Sequence, residues 1–507
     1  MSTSRDLKGI NVLLFLTDQQ RAIQHFPKGW AKKNLPGDDH LMRHGLSFPR
    51  AFCNACMCSP SRATLMTGYF PAQHGVKWTL EEDMPPPHTL PSEYPQQELP
   101  LDLPNLGTVM ASAGYSTPYK GKFHLTKKAN PNDPWKPQDV EKYGFQRWNP
   151  PDAGANQDLD QFGGGRADHD GHYMNGRAGD QHEGVIAYLK SESAKRGPFF
   201  LVVSLVNPHD VLAYPRKFTL GGYDEKWLRG NIQLPPTVNE DLSTKPAVQN
   251  QFRILLDVGM GKLTKVQQRN YVNFYGNLMK LADRYLVQVL ETLKSQGLLE
   301  NTLIIRTSDH GEMGMAHGGL RQKNFNFYEE TLRVPLIYSN PKLFPKPRVS
   351  QAMVSHVDFL PTLASLFDVP FPARTNWQGV DYSEVVLDPR AQPPQKYSVF
   401  TYDDYQSGQS GGRYPGPFNH IVSIREERYK LAQYYDVQRP NGPYQWEMYD
   451  LKNDPYERRN LAHRGCKRTK TQQQEYIRLR EQLDVVAKTR LQPLPHTRAK
   501  SVEAADV

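Results

Sequence analysis

The 507-residue sequence predicts an α/β fold: a large, mostly parallel mixed sheet flanked by helices, followed by a smaller C-terminal antiparallel sheet with one helix. Three apolar, β-branched runs predict the first part: INVLLFLTDQQR, FFLVVSLVNPHD and TLIIRTSDHGE. Continuous apolar runs of strand length read as strands buried on both faces, hence a parallel sheet covered by helices. Helical periodicity lies between them. Tyr271, Phe274, Leu278, Leu281, Tyr285, Val289 and Leu293 recur at helical spacing between Gln267 and Gln296, with Gly297 as the stop. A shorter helix is expected in NLGTVMASAGY, ended by Gly114. Beyond about residue 375 the texture changes: RTNWQGVDYSEVV reads as loop and turn. KYSVFTYDDY, NHIVSIREERYKLAQYY and WEMYDLKNDP then read as strands with a solvent face, before a helix from Gln472 to Lys488. The chain is too long for one core, so it divides into a large domain over residues 1–375, a small α+β subdomain over 376–490 and an irregular tail over 491–507. The proline-rich stretch 84–104 is also expected to be irregular, and the loop SGQSGGRYPGPF to reach toward the cleft or a partner.

Composition excludes several classes. The formal net charge is +9, but the basic residues are spread along the chain and are densest near the C-terminus in RGCKRTK, RLRE and HTRAK. No arginine and aromatic interleaving and no basic recognition helix accompany them, so the reading is a solvated basic surface and not a nucleic-acid site. Such a surface attracts small anionic substrates. No stretch approaches the roughly 18 apolar residues of a membrane helix, and MSTSRDLKGINVLLFLTD lacks a secretory apolar core with a cleavage site. We therefore expect a cytoplasmic protein with reduced thiols and no membrane partner. The basic tail leaves a homo-oligomer open.

Each of the three strand runs ends in residues capable of chemistry: Asp18 and Gln19, His209 and Asp210, Asp309 and His310. In open α/β sheets ligands bind at the carboxyl ends of the strands, so these residues can converge across nearly 300 positions. Any one acid alone would be a turn or a helix N-cap. Three of the four cysteines lie in CNACMCSPSRATLMTG, residues 53 to 68. A zinc site would need further paired ligands, and Cys466 is isolated. A cysteine protease would leave Pro60 and Arg62 unexplained. Cys53 and Cys56 read as buried small apolar residues.

The C-x-P-S-R element followed by T-G resembles the signature of type I sulfatases, matched here by Cys58, Pro60, Ser61, Arg62, Thr67 and Gly68. TDQQ resembles the family's first metal loop, YSTPYKGKFHL its G-K-x-H element with Lys122 and His124, and NPHD the loop carrying a histidine near the sulfate, His209. SDHGE resembles the second metal loop, KNFNFYEETLRVPLI supplies Lys323, and VSHVDFLPTLASL and MYDLKNDPYERRNLA resemble non-catalytic landmarks, so the likeness spans residues 10 to 462.

The resemblance implies an alkaline phosphatase-like fold and an arylsulfatase-like hydrolysis of sulfate monoesters. It implies oxidation of Cys58 by a formylglycine-generating enzyme to formylglycine, an aldehyde whose hydrate attacks sulfur. It further implies one divalent cation held by Asp18, Gln19, residue 58, Asp309 and His310. Calcium is the family expectation, and manganese or magnesium would tolerate this set. The cation would polarise a sulfate oxygen and lower the pKa of the hydrate. Lys122 and Lys323 would neutralise the sulfate oxygens, His209 or Lys323 would protonate the leaving oxygen, and Arg62 would orient the hydrate and the metal carboxylates. Asp309 would take the proton as one hydroxyl attacks. His124 would help deprotonate the other, so that the hemiacetal sulfate eliminates sulfate and restores the aldehyde. For His310 the alternative is loop stabilisation, for the two lysines a surface charge, and for His124 a core histidine. His317 could line the cleft, whereas His74 and His356 read as structural. Two other functions stay in view: phosphonate monoester or phosphodiester hydrolysis in the same superfamily, and an inactive binding protein on this fold.

Overall fold

The computed structural model describes residues 7–80, 97–130, 132–177, 182–369, 376–388, 390–405, 416–439 and 441–494. Most of the proline-rich stretch 84–104, the core of SGQSGGRYPGPF and the last dozen residues lie outside them. Among the described residues, the large sheet has seven strands: β1 (Asn11–Thr17), β2 (Gly45–Ser47), β3 (Tyr119–Gly121), β4 (Phe200–Ser204), β5 (Thr302–Ser308), β6 (Leu336–Ser339) and β7 (Arg348–Val349). Their spatial order is β3-β4-β1-β5-β6-β2-β7. Only the β5–β6 and β6–β2 pairings are antiparallel, so a single strand, β6, runs against the rest.

The three apolar runs are the three adjacent inner strands β4, β1 and β5, and every residue of each is buried. Alternate side chains feed opposite cores, as a sheet covered on both faces requires: Val12 and Leu14 enter one, Leu13 and Phe15 the other. The predicted long helix spans Lys265–Ser295, opened by a capping box in which Thr264 and Gln267 exchange hydrogen bonds. Its Leu281, Tyr285, Val289 and Leu293 pack beneath the sheet, while Tyr271, Phe274 and Leu278 turn to a neighbouring aromatic cluster. Each such buried side chain contributes about 1.5–3 kcal/mol. The short helix Leu106–Ser112 forms as predicted, N-capped by Asn105 and followed by Gly114 at φ 87°.

The C-terminal sheet is a meander of β8 (Tyr397–Tyr402), β9 (His420–Glu426), β10 (Tyr429–Tyr435) and β11 (Gln445–Asp450), all antiparallel. The expected solvent face is absent from it. Val399, Val422, Ile424, Leu431 and Met448 pack on Leu479, Leu483 and Val486 of the terminal helix Lys470–Arg490. Phe400, Tyr402, Ile421, Ala432, Tyr434 and Tyr449 join the large core on the other side. The strands look alternating because Glu447, Lys430 and Arg425 are buried with ion-pair or hydrogen-bond partners, a pattern that sequence alone reads as exposure. The segment read as loop and turn also contains a short helix, Ser383–Leu387.

No helix among the described residues is long and apolar enough to cross a membrane. At the end of β3, Gly121 sits at φ 107°, where an added Cβ would fall against the Ser204 carbonyl oxygen of β4. Left-handed strain and a backbone clash combine there. Gly121→Ala is expected to lower stability by at least about 2 kcal/mol, read as a lower urea midpoint with an unchanged slope.

Candidate active site

Four adjacent strands of the sheet deliver functional groups at their carboxyl ends. Lys122 follows β3, His209 follows β4, Asp18 follows β1, and Asp309 with His310 follows β5. Extended strands in register place these ends side by side: Leu16 pairs with Ser204 and Thr17 with Ser308. A buried helix, Cys58–Thr67, completes the site from above, with Cys58 in its first turn and Gly68 at φ 72° closing it. Its N-terminus brings the positive end of the helix dipole to the site, which favours an anion. Arg62 lies one turn after Cys58 and therefore on the same face.

Arg62 organises the carboxylates. It is fully buried and donates through Nε to Asp309 Oδ2 at 2.8 Å and through a terminal nitrogen to Asp18 Oδ2 at 3.3 Å. Its other terminal nitrogen donates to the Lys122 carbonyl and to Ser204 Oγ, each at 2.9 Å. Lys122 Nζ adds an ion pair to Asp18 Oδ2 at 2.6 Å and also donates to the Gly154 carbonyl. Burial alone would raise the Asp18 carboxyl, but Lys122, His209, Arg62 and His310 outweigh it and hold the group well below the usual range. Burial pushes the Cys58 thiol up to about 11, with Asp18 adding to it and Lys122 and Lys323 opposing. That thiol is protonated at neutral pH and is a poor nucleophile as it stands.

Asp18, Cys58, Asp309 and His310 form a buried set whose donor atoms lie within 4.8 Å of one another. His310 Nδ1 faces the Gly311 carbonyl at 3.0 Å, which assigns it the ring proton and turns the Nε2 lone pair toward the set. From Nε2, the Asp18 and Asp309 Oδ1 atoms stand at 3.7 Å and 3.6 Å and the Cys58 sulfur at 3.4 Å. The carboxylate separations exceed hydrogen-bond length and suit donors arranged around one hard cation, so the residues present fit the implied metal ion. Gln19 reaches this set through its main-chain N–H, which donates to Asp309 Oδ1 at 3.0 Å. Its side-chain oxygen accepts from Lys323 Nζ at 2.7 Å and its amide nitrogen donates to Glu312.

His124 sits at φ 58° with its ring buried beside Lys122, Arg62 and Asp18. Nε2 donates to the Leu80 carbonyl at 2.7 Å, which leaves Nδ1 as an unprotonated acceptor with no hydrogen-bond partner. Burial and the neighbouring Lys122 keep this ring neutral. His209 opens the turn His209–Ala213 and is buried near Asp18, Lys122, Lys323 and His310. His317 is remote in its bonding, paired with Glu240 and stacked on Tyr328. His74 bonds Thr64, and His356 bonds Ser61 behind the site. Cys53 and Cys56 are fully buried, with sulfurs against the Thr331 and Lys323 carbonyls.

Sequence reasoning missed the groups that hold these side chains. Asp152 accepts the N–H groups of Phe123 and His124 at 2.8 Å and 2.7 Å. Ser204 receives Arg62, and Glu312 receives Gln19, Tyr271, Gly314 and Gln322. Glu312 stands in SDHGE and could have been singled out, whereas Asp152, in the stretch Pro150-Pro151-Asp152, carries no signal of its own.

Comparison with known proteins agrees with this geometry. The family model described as Sulfatase matches residues 10–369, and one described as N-sulphoglucosamine sulphohydrolase, C-terminal, matches residues 317–487. A Delta 4,5-hexuronate-2-O-sulfatase of Bacteroides thetaiotaomicron is 24% identical over 84% of this chain and 78% of its own length. Among solved structures, a 2-O GAG sulfatase superposes with a TM-score of 0.70 at 21% identity, covering 95% of this chain and 92% of that one. A phosphonate monoester hydrolase of Agrobacterium radiobacter superposes with a TM-score of 0.65 at 20% identity, covering 94% and 96%. At such identities these two likenesses describe the fold.

Proposed function

Because this chain belongs to the sulfatase family and is a sulfuric ester hydrolase, we propose that it cleaves sulfate monoesters through an aldehyde made by oxidation of Cys58, beside one divalent cation. The observation that carries this reading is the Cys58–Arg62 turn. It places residue 58 against Asp18 and His310 while Arg62 grips both metal carboxylates. The Cys58 sulfur stands where the oxidised side chain would carry the oxygens of its hydrate.

Asp18, residue 58, Asp309 and His310 would hold the cation, calcium first and manganese or magnesium next, while the Gln19 side chain, expected as a further ligand, is taken up by Lys323 and Glu312. When bound, it supplies charge that offsets the sulfate oxygens and favours ionisation of the hydrate. The chain's own groups do the rest. Lys122 and Lys323 add positive charge in a buried setting where it is little screened. The free Nδ1 of His124 accepts a proton from a hydroxyl at position 58, because its other nitrogen is committed to Leu80. His209 or Lys323 protonates the leaving alcohol oxygen. Arg62 fixes Asp18 and Asp309 in place and so keeps the nucleophile and the cation in register.

His124→Asn tests the proton-accepting role. It is expected to lower kcat about 10²- to 10⁴-fold toward 4-nitrophenyl sulfate with little change in KM, and a loss confined to KM would contradict it. Chelation followed by dialysis is expected to abolish turnover, and added calcium to restore it.

A second reading, phosphonate monoester hydrolysis, is favoured by the likeness to the phosphonate monoester hydrolase fold. It is opposed by Lys122 and His124, whose G-K-x-H element resembles that of the sulfatases. Specificity constants for 4-nitrophenyl sulfate and phenyl phenylphosphonate separate the two, since a wide preference for the phosphonate would displace the sulfatase reading. A panel of aryl, alkyl, choline and monosaccharide sulfates then fixes the alcohol. The relative named for a hexuronate sulfate makes the monosaccharide esters the first comparison with the aryl probe.

A further inference from the structure

A second cluster of metal-ligating side chains lies where the 317–330 segment meets the C-terminal sheet. The His317 ring is fully buried and stacks on Tyr328, with centroids 3.6 Å apart and planes 7° apart. Its Nδ1 lies 2.7 Å from Glu240 Oε2. A carboxylate on one ring nitrogen fixes the tautomer and orients the other nitrogen, the arrangement common behind metal-bound histidines. That other nitrogen, Nε2, makes no hydrogen bond and faces Glu330 and Glu457; burial opposes protonation but Glu240 and Glu330 raise the ring to about 9, so an entering cation displaces a proton from it. The three donor atoms lie within 4.8 Å of one another.

The spacing fits an ion better than a hydrogen bond. Nε2 stands 3.6 Å from Glu330 Oε2, beyond hydrogen-bond length. Two ligands about 2.1 Å from a tetrahedral cation stand roughly 3.4 Å apart. Other charges face the cluster: Lys430 Nζ is 2.7 Å from Glu457 Oε1, and Lys245 Nζ is 3.0 Å from Glu240 Oε1. They offset the surplus of carboxylates, and each carboxylate oxygen has a second lone pair to offer. Access exists as well, because Glu330 lines a cavity of about 1510 Å³ together with Glu329, His25, Thr237 and Arg425.

We propose that His317, Glu330 and Glu457 form a second divalent-cation site, separate from the Asp18 and Asp309 set, with one imidazole and two carboxylates suited to zinc and water from the cavity as fourth ligand. Glu457 belongs to the turn after β11, while His317 and Glu330 bracket the segment that carries Lys323. An ion here joins the turn after β11 to the loop that carries the active-site lysine, Lys323.

Full-length protein carrying Asp18→Asn and Asp309→Asn, stripped with chelator and dialysed, tests this by calorimetric titration with zinc chloride. One ion per chain and a rise in melting temperature are expected. Adding His317→Gln is expected to weaken binding at least about 100-fold, and Glu240→Gln about 10- to 100-fold. Should His317→Gln fail to fold, Glu330→Gln, a change at the cavity wall, is expected to weaken binding by a similar factor. Elemental analysis of wild-type protein equilibrated with both calcium and zinc should find two divalent ions per chain. Absence of saturable binding in the double variant, binding unmoved by His317→Gln or Glu330→Gln, or one ion in the wild type would overturn the proposal.

Discussion

Cys58→Ala is expected to lower kcat/KM for a sulfate ester by at least about 10⁵-fold, the scale seen when a covalent nucleophile is removed. The effect should be chemical and not structural. The side chain is small, and alanine leaves the buried helix Cys58–Thr67 and the Arg62 contacts intact, so the melting temperature should move by only a few degrees. Circular dichroism and a thermal scan beside the kinetics separate the two causes. Loss of activity together with loss of fold would not support the assignment, and retained activity in a folded variant would remove position 58 from the reaction.

Arg62→Ala is expected to cost about 3–5 kcal/mol of stability as well as activity, because it leaves Asp18 and Asp309 buried without the cation that bridges them. The Lys122 carbonyl and Ser204 hydroxyl lose their donor too. Lysine cannot stand in: its single ammonium cannot reach four acceptors spread around a planar fork, so Arg62→Lys should recover little of either quantity. Urea unfolding at saturating calcium measures the first effect and kcat/KM the second. A variant that keeps wild-type stability would show that the two carboxylates do not depend on Arg62.

The central sheet and its site were legible because the signals are local and strong. β1, β4 and β5 are unbroken apolar runs, and each ends on a polar pair that the sheet is bound to bring together. The Cys58 to Gly68 segment carries its own pattern. What stayed hidden depends on partners distant in sequence. The C-terminal strands seemed half-exposed because buried charges such as Lys430 find Glu329 and Glu457 only after folding. Asp152 holds the Lys122 to His124 loop through backbone N–H groups nearly 30 positions away, which no residue pattern announces. Gln19 was legible as part of a metal loop, but not the pairing of its amide with Lys323 and Glu312.

The most direct test of the account is the chemical state of residue 58 in active protein. Trypsin releases residues 51–62 as one peptide, cut after Arg50 and Arg62. Mass spectrometry of protein made in a host with the modifying enzyme should show this peptide lighter by the difference between a CH2SH and a CHO side chain, in a fraction that rises in proportion to sulfatase activity. Fully active protein in which residue 58 remains an unmodified thiol would contradict the account.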